Sequence, residues 1–337
     1  MKNALLKISA LAAMAILLSA GFAALISAQQ AQIRTPRQIP PPVNPDFSKM
    51  EVQTLKVQGN VYLIAGAGGN IAVQIGDDGV LMVDTGYEKM NEKVMAAIRK
   101  LSNQPIRNII NTTLADDHTG ANAIFVKAGS VVVTGPGLGG RANEANLIAH
   151  GELTRIMTEI GVAKIPLERW PIKTFLVRSM DFYFNDEPVI INHVPEANTA
   201  GDSYVWFRKS DVIATGEIFN ETSYPFIDLE HGGGINGIIE GLNQVLEITV
   251  PKHIQEGGTM VIPGHGRIGD EHDVLEYRDM VTIIRNRVQN AIKKKMTLAQ
   301  VKAAKPSYTY EYDLRFGKNP AWTPDQFVEA IYKSLSK

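Results

Sequence analysis

Residues 106–120 read Ile-Arg-Asn-Ile-Ile-Asn-Thr-Thr-Leu-Ala-Asp-Asp-His-Thr-Gly. Ile106 to Ile110, with three isoleucines in five residues, has the length and β-branched character of a buried strand. It breaks into a polar loop, Asn111 to His118, and a helix is predicted from Thr119. Asp116, Asp117 and His118 therefore fall directly after a strand, where an α/β scaffold is rigid and its loops stay open to solvent. The same arrangement recurs outward in both directions. Asp84-Thr85-Gly86 follows the run Val80–Val83, Gly216-Glu217 follows Val212–Ala214, and Gly264-His265-Gly266 follows Met260–Ile262. Asn198 to Asp202 makes a fifth loop of this kind. Any one of them reads as a turn or a surface histidine; five at strand ends point to a built site.

The rest of the chain supplies an alternating grammar. Val61–Ile64, Ile71–Ile75 and Val80–Val83 are strand-like runs separated by Gly66 to Asn70 and by Gly76-Asp77-Asp78-Gly79, a meander of hairpins. Met90, Val94, Ala97 and Leu101 recur at helical spacing over Lys89–Leu101. Val131–Val133 reads as a strand and Arg141–Ile160 as a helix. Further strands are expected at Lys173–Val177, Pro188–His193 and Ser203–Phe207, and a helix at Ile235–Glu247. The C-terminus reads as helical, with capping boxes at Thr297…Gln300 and Thr323…Gln326, the second with Pro324 at the first helical position. Strands followed by helices in each half predict two packed sheets with helices outside.

Composition removes several function classes. The 337 residues carry 34 Lys+Arg against 35 Asp+Glu, a net charge of −1, which gives no electrostatic footprint for nucleic acid. With 45% hydrophobic residues there is enough apolar surface for a core, so a disordered chain is excluded. No cysteine is present, which excludes disulfides, thiolate-ligated zinc, iron–sulfur clusters and thiol catalysis. Lys2 and Lys7 precede an apolar run from Ile8 to Ala28, so residues 1–28 read as an export signal, with an uncleaved membrane anchor as the alternative. The expected location is periplasmic or extracellular. Five prolines among residues 29–50 make an extended linker. A folded domain is expected over 51–290, with a helical extension packed on it over 291–337.

The polar loops resemble those of the metallo-β-lactamase superfamily. The likeness rests on Val83-Asp84-Thr85-Gly86, Ile110-Asn111-Thr112, Asp117-His118-Thr119-Gly120, Pro195 with Asn198 to Asp202, Thr215-Gly216-Glu217 and Pro263-Gly264-His265-Gly266, in order and over roughly Val52 to Asp270. It implies an α/β fold of four layers, an αββα sandwich with extra C-terminal helices, and a metal site at one edge between the sheets. Carried over position by position, it implies metal ligands at Asp117, His118, Glu217 and His265, with Asp84 holding the ligand loops. The family's three other histidine positions are Thr113, Ala115 and Asn198 here, which implies that a tri-histidine metal site is lost and the active site degenerate. Zinc favours imidazole, thiolate or carboxylate donors, so one Zn²⁺ at the remaining four positions is the expected cofactor. Asp117 doubles as a candidate general base.

The expected function is a single-metal hydrolase of a small ester, lactone, amide or lactam. Its alternatives are an inactive binding or scaffold protein, and a membrane-tethered partner protein if the N-terminal segment is uncleaved. The expected partner is a small molecule, and no reading of oligomeric state emerges. Weaker features read as structure. Gly135 to Gly140 matches G-x-G-x-x-G, but Pro136 and the absent βαβ halves make it a loop beside the site. Gly232 to Gly234 after His231 reads as another loop at the cleft. His193 reads as a structural strand residue, and His150, His253 and His272 follow no ligand spacing. Tyr308, Tyr310 and Tyr312 have period two, as on a strand face.

Overall fold

Alternate residues of the central strands enter two different cores, and that period of two builds the layers. The structure, a computed structural model, describes residues 45–130, 144–309, 312 and 315–336, all in one compact unit. The expected leader, residues 29–44 of the linker, the Val131–Val133 strand and the Gly135–Gly140 loop lie outside the described residues. Among the described residues no helix is long and apolar enough to cross a membrane.

Strands β1 (Gln53–Gln58), β2 (Val61–Ala65), β3 (Ile71–Gly76) and β4 (Gly79–Val83) form an antiparallel meander. Strands β5 (Ile106–Ile110), β6 (Asn146–His150) and β7 (Lys173–Phe175) extend it in parallel, so this seven-stranded sheet runs in chain order. The second sheet runs β12-β11-β10-β9-β8, from β8 (Ser179–Phe184), β9 (Glu187–His193), β10 (Ser203–Phe207), β11 (Val212–Ala214) and β12 (Met260–Ile262). Its β11–β12 pair is parallel and its other pairs are antiparallel. The helices are α1 (Asn91–Leu101), α2 (Asp116–Thr119), α3 (Asn122–Ala128), α4 (Gly151–Ile160), α5 (Ile235–Ile248), α6 (Glu271–Lys293), α7 (Leu298–Ala303) and α8 (Pro324–Leu335).

Leu63, Leu81 and Val83 meet Ile191, Val205 and Phe207 between the sheets. Their neighbours Ile64, Val80 and Met82 face outward, against Val94 and Ile98 of α1 and Phe125 of α3. Ile213 and Val261 point out of the second sheet, against Ile238 and Leu242 of α5, Tyr277 and Ile284 of α6, and Phe327 of α8. The result is the expected αββα sandwich with additional C-terminal helices.

One expected element differs. The helix read over Arg141–Ile160 is the strand β6 followed by the shorter helix α4. Leu147, Ile148 and Ala149 are buried between two parallel neighbours, and a run that short carries no period that tells strand from helix. His150 caps α4, its ring accepting the Glu152 N–H at 3.3 Å. No strand forms around Tyr308 among the described residues; Tyr312 is helical.

Candidate metal centre

Two parallel strand pairs bring the ligand loops together. Val83 pairs with Ile110 in the first sheet and Ala214 with Ile262 in the second. The residues that follow each pair therefore leave side by side: Asp84 beside Asn111-Thr112, and Gly216-Glu217 beside Gly264-His265. The approach is so close that a Cβ on Gly264 would lie 2.5 Å from Glu217 Oε1. A Cβ on Gly69 would likewise sit 2.4 Å from the His118 ring.

The turn between β2 and β3 clamps the loops from above. Gly69 N donates to Asp117 O at 2.9 Å, and Asn70 Nδ2 donates to Pro263 O and Gly266 O at 2.9 and 3.0 Å. Sequence reading treated Gly66 to Asn70 as a hairpin turn only; a buried Asn in a glycine-rich turn was the available sign of a further role. Asp84 is held at φ 65°, a left-handed conformation that costs an ordinary residue free energy and gathers at functional sites. From there its carboxylate accepts from Thr112 N at 2.9 Å and Thr112 Oγ1 at 2.6 Å, and meets His118 Nδ1 at 2.8 Å. That last contact leaves His118 Nε2 to face the cluster.

Glu217 Oε1 lies 3.0 Å from His118 Nε2 and 3.1 Å from His265 Nε2, and Asp117 Oδ2 lies 3.0 Å from His265 Nε2. The two imidazoles are edge to face, with ring centres 5.5 Å apart. In a tetrahedral zinc site, ligand bonds of about 2.0 Å put neighbouring donors ~3.3 Å apart. The observed separations suit an ion of that size, and imidazole with carboxylate is a donor set divalent transition metals accept.

The electrostatics of the cluster hold without an ion as well. Burial pushes the Asp117 carboxyl up, but the hydrogen bond to His265 and the charges of His118 and His265 outweigh it, leaving it below the ordinary value. Burial likewise opposes the charge of Glu217, yet the two imidazoles hold its pKa well below the usual carboxylate range. The reciprocal effect raises His265 to about 9, with Glu217 and Asp117 overcoming burial. His118 is also raised well above its ordinary value, because Asp84 and Glu217 overcome its burial. Asp202 differs: burial pushes it up to about 7, and it accepts from Thr199 N and Oγ1 at 2.5 and 2.9 Å, fixing the Asn198–Asp202 loop.

The cluster lies at one wall of a cavity of ≈ 350 Å³. Thr113, Ala115 and Asn198 line the same cavity, beside Asp117, Glu217 and His265. The expectation of a degenerate centre, with its metal site lost to Thr113, Ala115 and Asn198, is corrected here. Asp117, His118 and His265 offer ligand atoms that all lie within 4.8 Å of one another, a group able to hold a metal ion. Motif positions were counted along the chain, whereas binding depends on which donors converge in space.

The remaining candidates separate from the site. Asp116 faces outward to Arg169 at 2.7 Å. His193 and His150 stack at 3.5 Å between ring centres, and His231 pairs with Asp228 at 2.6 Å. Sequence reading missed Phe226, Asp228, Asn319 and Trp322, all in the cavity lining. None carries a local motif; the loop after Glu217 and the C-terminal segment meet only in the folded chain.

Comparison with solved structures places this fold among known ones. A stereoselective inverting sec-alkylsulfatase, Pisa1 from Pseudomonas sp., superposes with a TM-score of 0.63 at 13% identity, over 84% of this chain and 50% of that one. The DIM-1 metallo-beta-lactamase gives a TM-score of 0.51 at 17% identity, over 69% of this chain and 97% of that one. A metallo-beta-lactamase from Pontibacter korlensis gives 0.51 at 13%, over 69% and 99%. The chain thus spans about half the length of the alkylsulfatase it matches. Comparison with curated proteins gives no match. Residues 55–265 match the sequence profile of the metallo-beta-lactamase superfamily, a span that holds every residue of the cluster. The chain belongs to the metallo-beta-lactamase superfamily.

Proposed function

We propose that the chain is a metal-dependent hydrolase of a small molecule, with one divalent ion, zinc by its donor chemistry, held by Asp117, His118, His265 and Glu217. The observation that carries this reading is the convergence of Asp117, His118 and His265, whose ligand atoms lie within 4.8 Å of one another, beside a cavity that Asp117 and His265 line. When bound, such an ion supplies Lewis-acid polarisation of the scissile group and an acidified water. The chain's own residues do the rest. Asp84, fixed by Thr112, holds His118 through Nδ1 and so sets which nitrogen faces the ligand cluster. We assign the Asp117 carboxylate, which its imidazole neighbours keep ionised in the metal-free chain and a bound ion would keep ionised in turn, the role of accepting a proton from an attacking water. Export of the chain rests on the sequence of residues 1–28 alone, and the mature N-terminus, read by intact mass, tests it.

The test joins binding to turnover. Elemental mass spectrometry of the purified chain is expected to find about one ion per chain. A panel of chromogenic small-molecule hydrolase substrates is expected to show turnover that a chelator removes and zinc restores. A chain that holds no more metal than its Asp117→Ala variant sinks the reading.

Metal affinity should also depend on pH, with a sign fixed by the imidazoles. Without metal, His265 holds its proton up to about pH 9. An ion must displace that proton and the one His118 also holds, so below pH 9 each unit of acidification weakens binding by at least about tenfold. Competition with a chelator of known affinity, run from pH 6 to 10, measures the slope. A flat profile below pH 9 contradicts the assignment of His118 and His265 as ligands.

A further inference from the structure

Resting on the hydrolase reading, we propose that the cleft accepts an uncharged substrate bearing a flat apolar group, which Phe226 and Trp322 grip. The substrate would then be chosen partly by residues beyond the family-matched segment 55–265.

The first observation is charge. Asp117, Glu217 and Asp228 line the cavity, and no Lys or Arg is in its described lining. The nearby guanidinium groups are engaged elsewhere: Arg169 with Asp116 at 2.7 Å, and Arg267 and Arg315 with Glu221 at 3.1 and 3.2 Å. A divalent ion at the cluster has its two charges matched by Asp117 and Glu217. A negative group on the substrate would therefore meet carboxylates and no free cation, in a cleft where reduced dielectric strengthens the repulsion.

The second observation is the aromatic wall. Phe226 is 46% exposed, a large ring left open where the cavity meets solvent. Its edge-to-face partner Trp322 is 4.7 Å away at 67°. The Trp322 ring is held by its Nε1, which donates to Pro225 O at 3.1 Å, and the Phe226 backbone is held by Asn198 Nδ2, which donates to Phe226 O at 2.8 Å. The second bond ties the aromatic wall to the loop beside the metal cluster. Asn198 itself lines the cavity beside the cluster. Aromatic side chains have few rotatable bonds, so a ring pair already in contact binds planar apolar groups with little ordering cost.

The test reads binding apart from turnover. Titrating the full chain with 2-naphthol and with 2-naphthalenesulfonate by calorimetry compares one flat group with and without charge. Naphthol is expected to bind at least about tenfold tighter. Trp322→Ala and Phe226→Ala are each expected to weaken naphthol binding about fivefold or more. Ala321 is exposed in the same lining, so Ala321→Lys keeps the fold and is expected to raise sulfonate affinity about fivefold while naphthol stays within about twofold. Equal or tighter sulfonate binding, binding of neither probe, or naphthol binding unchanged in both aromatic variants overturns the proposal. Naphthol binding without any turnover sinks the hydrolase reading alone. Turnover in a chain whose naphthol binding ignores Trp322 and Phe226 sinks this proposal alone.

Discussion

The His265→Ala chain is expected to bind zinc about 10²–10³-fold more weakly than the parent. The magnitude follows from the site's size: structural zinc sites of four ligands bind with about 10–16 kcal/mol, or roughly 2.5–4 kcal/mol per ligand. His265 is central to the proposed ligand group, since its Nε2 lies within 3.1 Å of both Asp117 Oδ2 and Glu217 Oε1. Asp84 offers the internal contrast. It touches His118 rather than the cluster centre, so Asp84→Asn should cost only about 10–100-fold, the range for partners that orient a ligand. Chelator competition at pH 8 measures both variants in one experiment. If His265→Ala binds zinc within twofold of the parent, His265 is not a ligand and the proposed centre is wrong. The substitution also removes an imidazole between two carboxylates, so the metal-free variant should lose stability. Thermal unfolding without metal separates that loss from the loss of binding.

The site was legible in the sequence to the extent that strand-end loops carry it. Asp84, Asp117, His118, Glu217 and His265 each follow a strand, and parallel pairing brings the last four together with Asp84 behind His118. The sandwich was legible for the same reason, because runs such as Val61–Ile64 and Val80–Val83, bounded by glycine-rich turns, read as strands. The β6–α4 segment was not: Leu147-Ile148-Ala149 is buried between neighbours that the sequence does not name. Asn70 and Trp322 escaped for a tertiary reason as well. Asn70 acts on carbonyls 193 and 196 residues away, and Trp322 meets a loop 97 residues before it. Judging the centre by its motif positions failed similarly, because the distances among Asp117, His118, Glu217 and His265 are set by two different sheets.

Phe327→Ala is expected to destabilise the whole chain by about 3–5 kcal/mol, the cost of truncating a fully buried aromatic. Phe327 is 0% exposed and stacks on Tyr224, itself 0% exposed, with ring centres 4.9 Å apart at 12°. The helix that carries it begins at a capping box, with Thr323 accepting from Gln326 N and Gln326 returning to the Thr323 backbone, and Pro324 in its first turn. Its buried face, with Val328 and Ile331, shares one core with Ile213, Val261 and Tyr277 from the second sheet and α6. We propose that residues 291–337 fold with the domain in a single transition rather than as a separate unit, since α6 runs unbroken from Glu271 to Lys293 across the expected boundary. Urea unfolding followed by far-ultraviolet dichroism and by tryptophan fluorescence in a Trp170→Phe, Trp206→Phe background tests this, because Trp322 is then the one tryptophan and reports on the extension. Coincident transitions, both shifted by 3–5 kcal/mol in the variant, are the expected result. A fluorescence transition that shifts while the dichroism transition stays in place would instead show the extension melting alone. The distinction reaches the cavity. Tyr224 follows Ser223, which lines it, and Trp322 lies five residues before Phe327. A loosened extension would therefore open the aromatic wall while the ligand loops, set by the parallel strand pairs, kept their places.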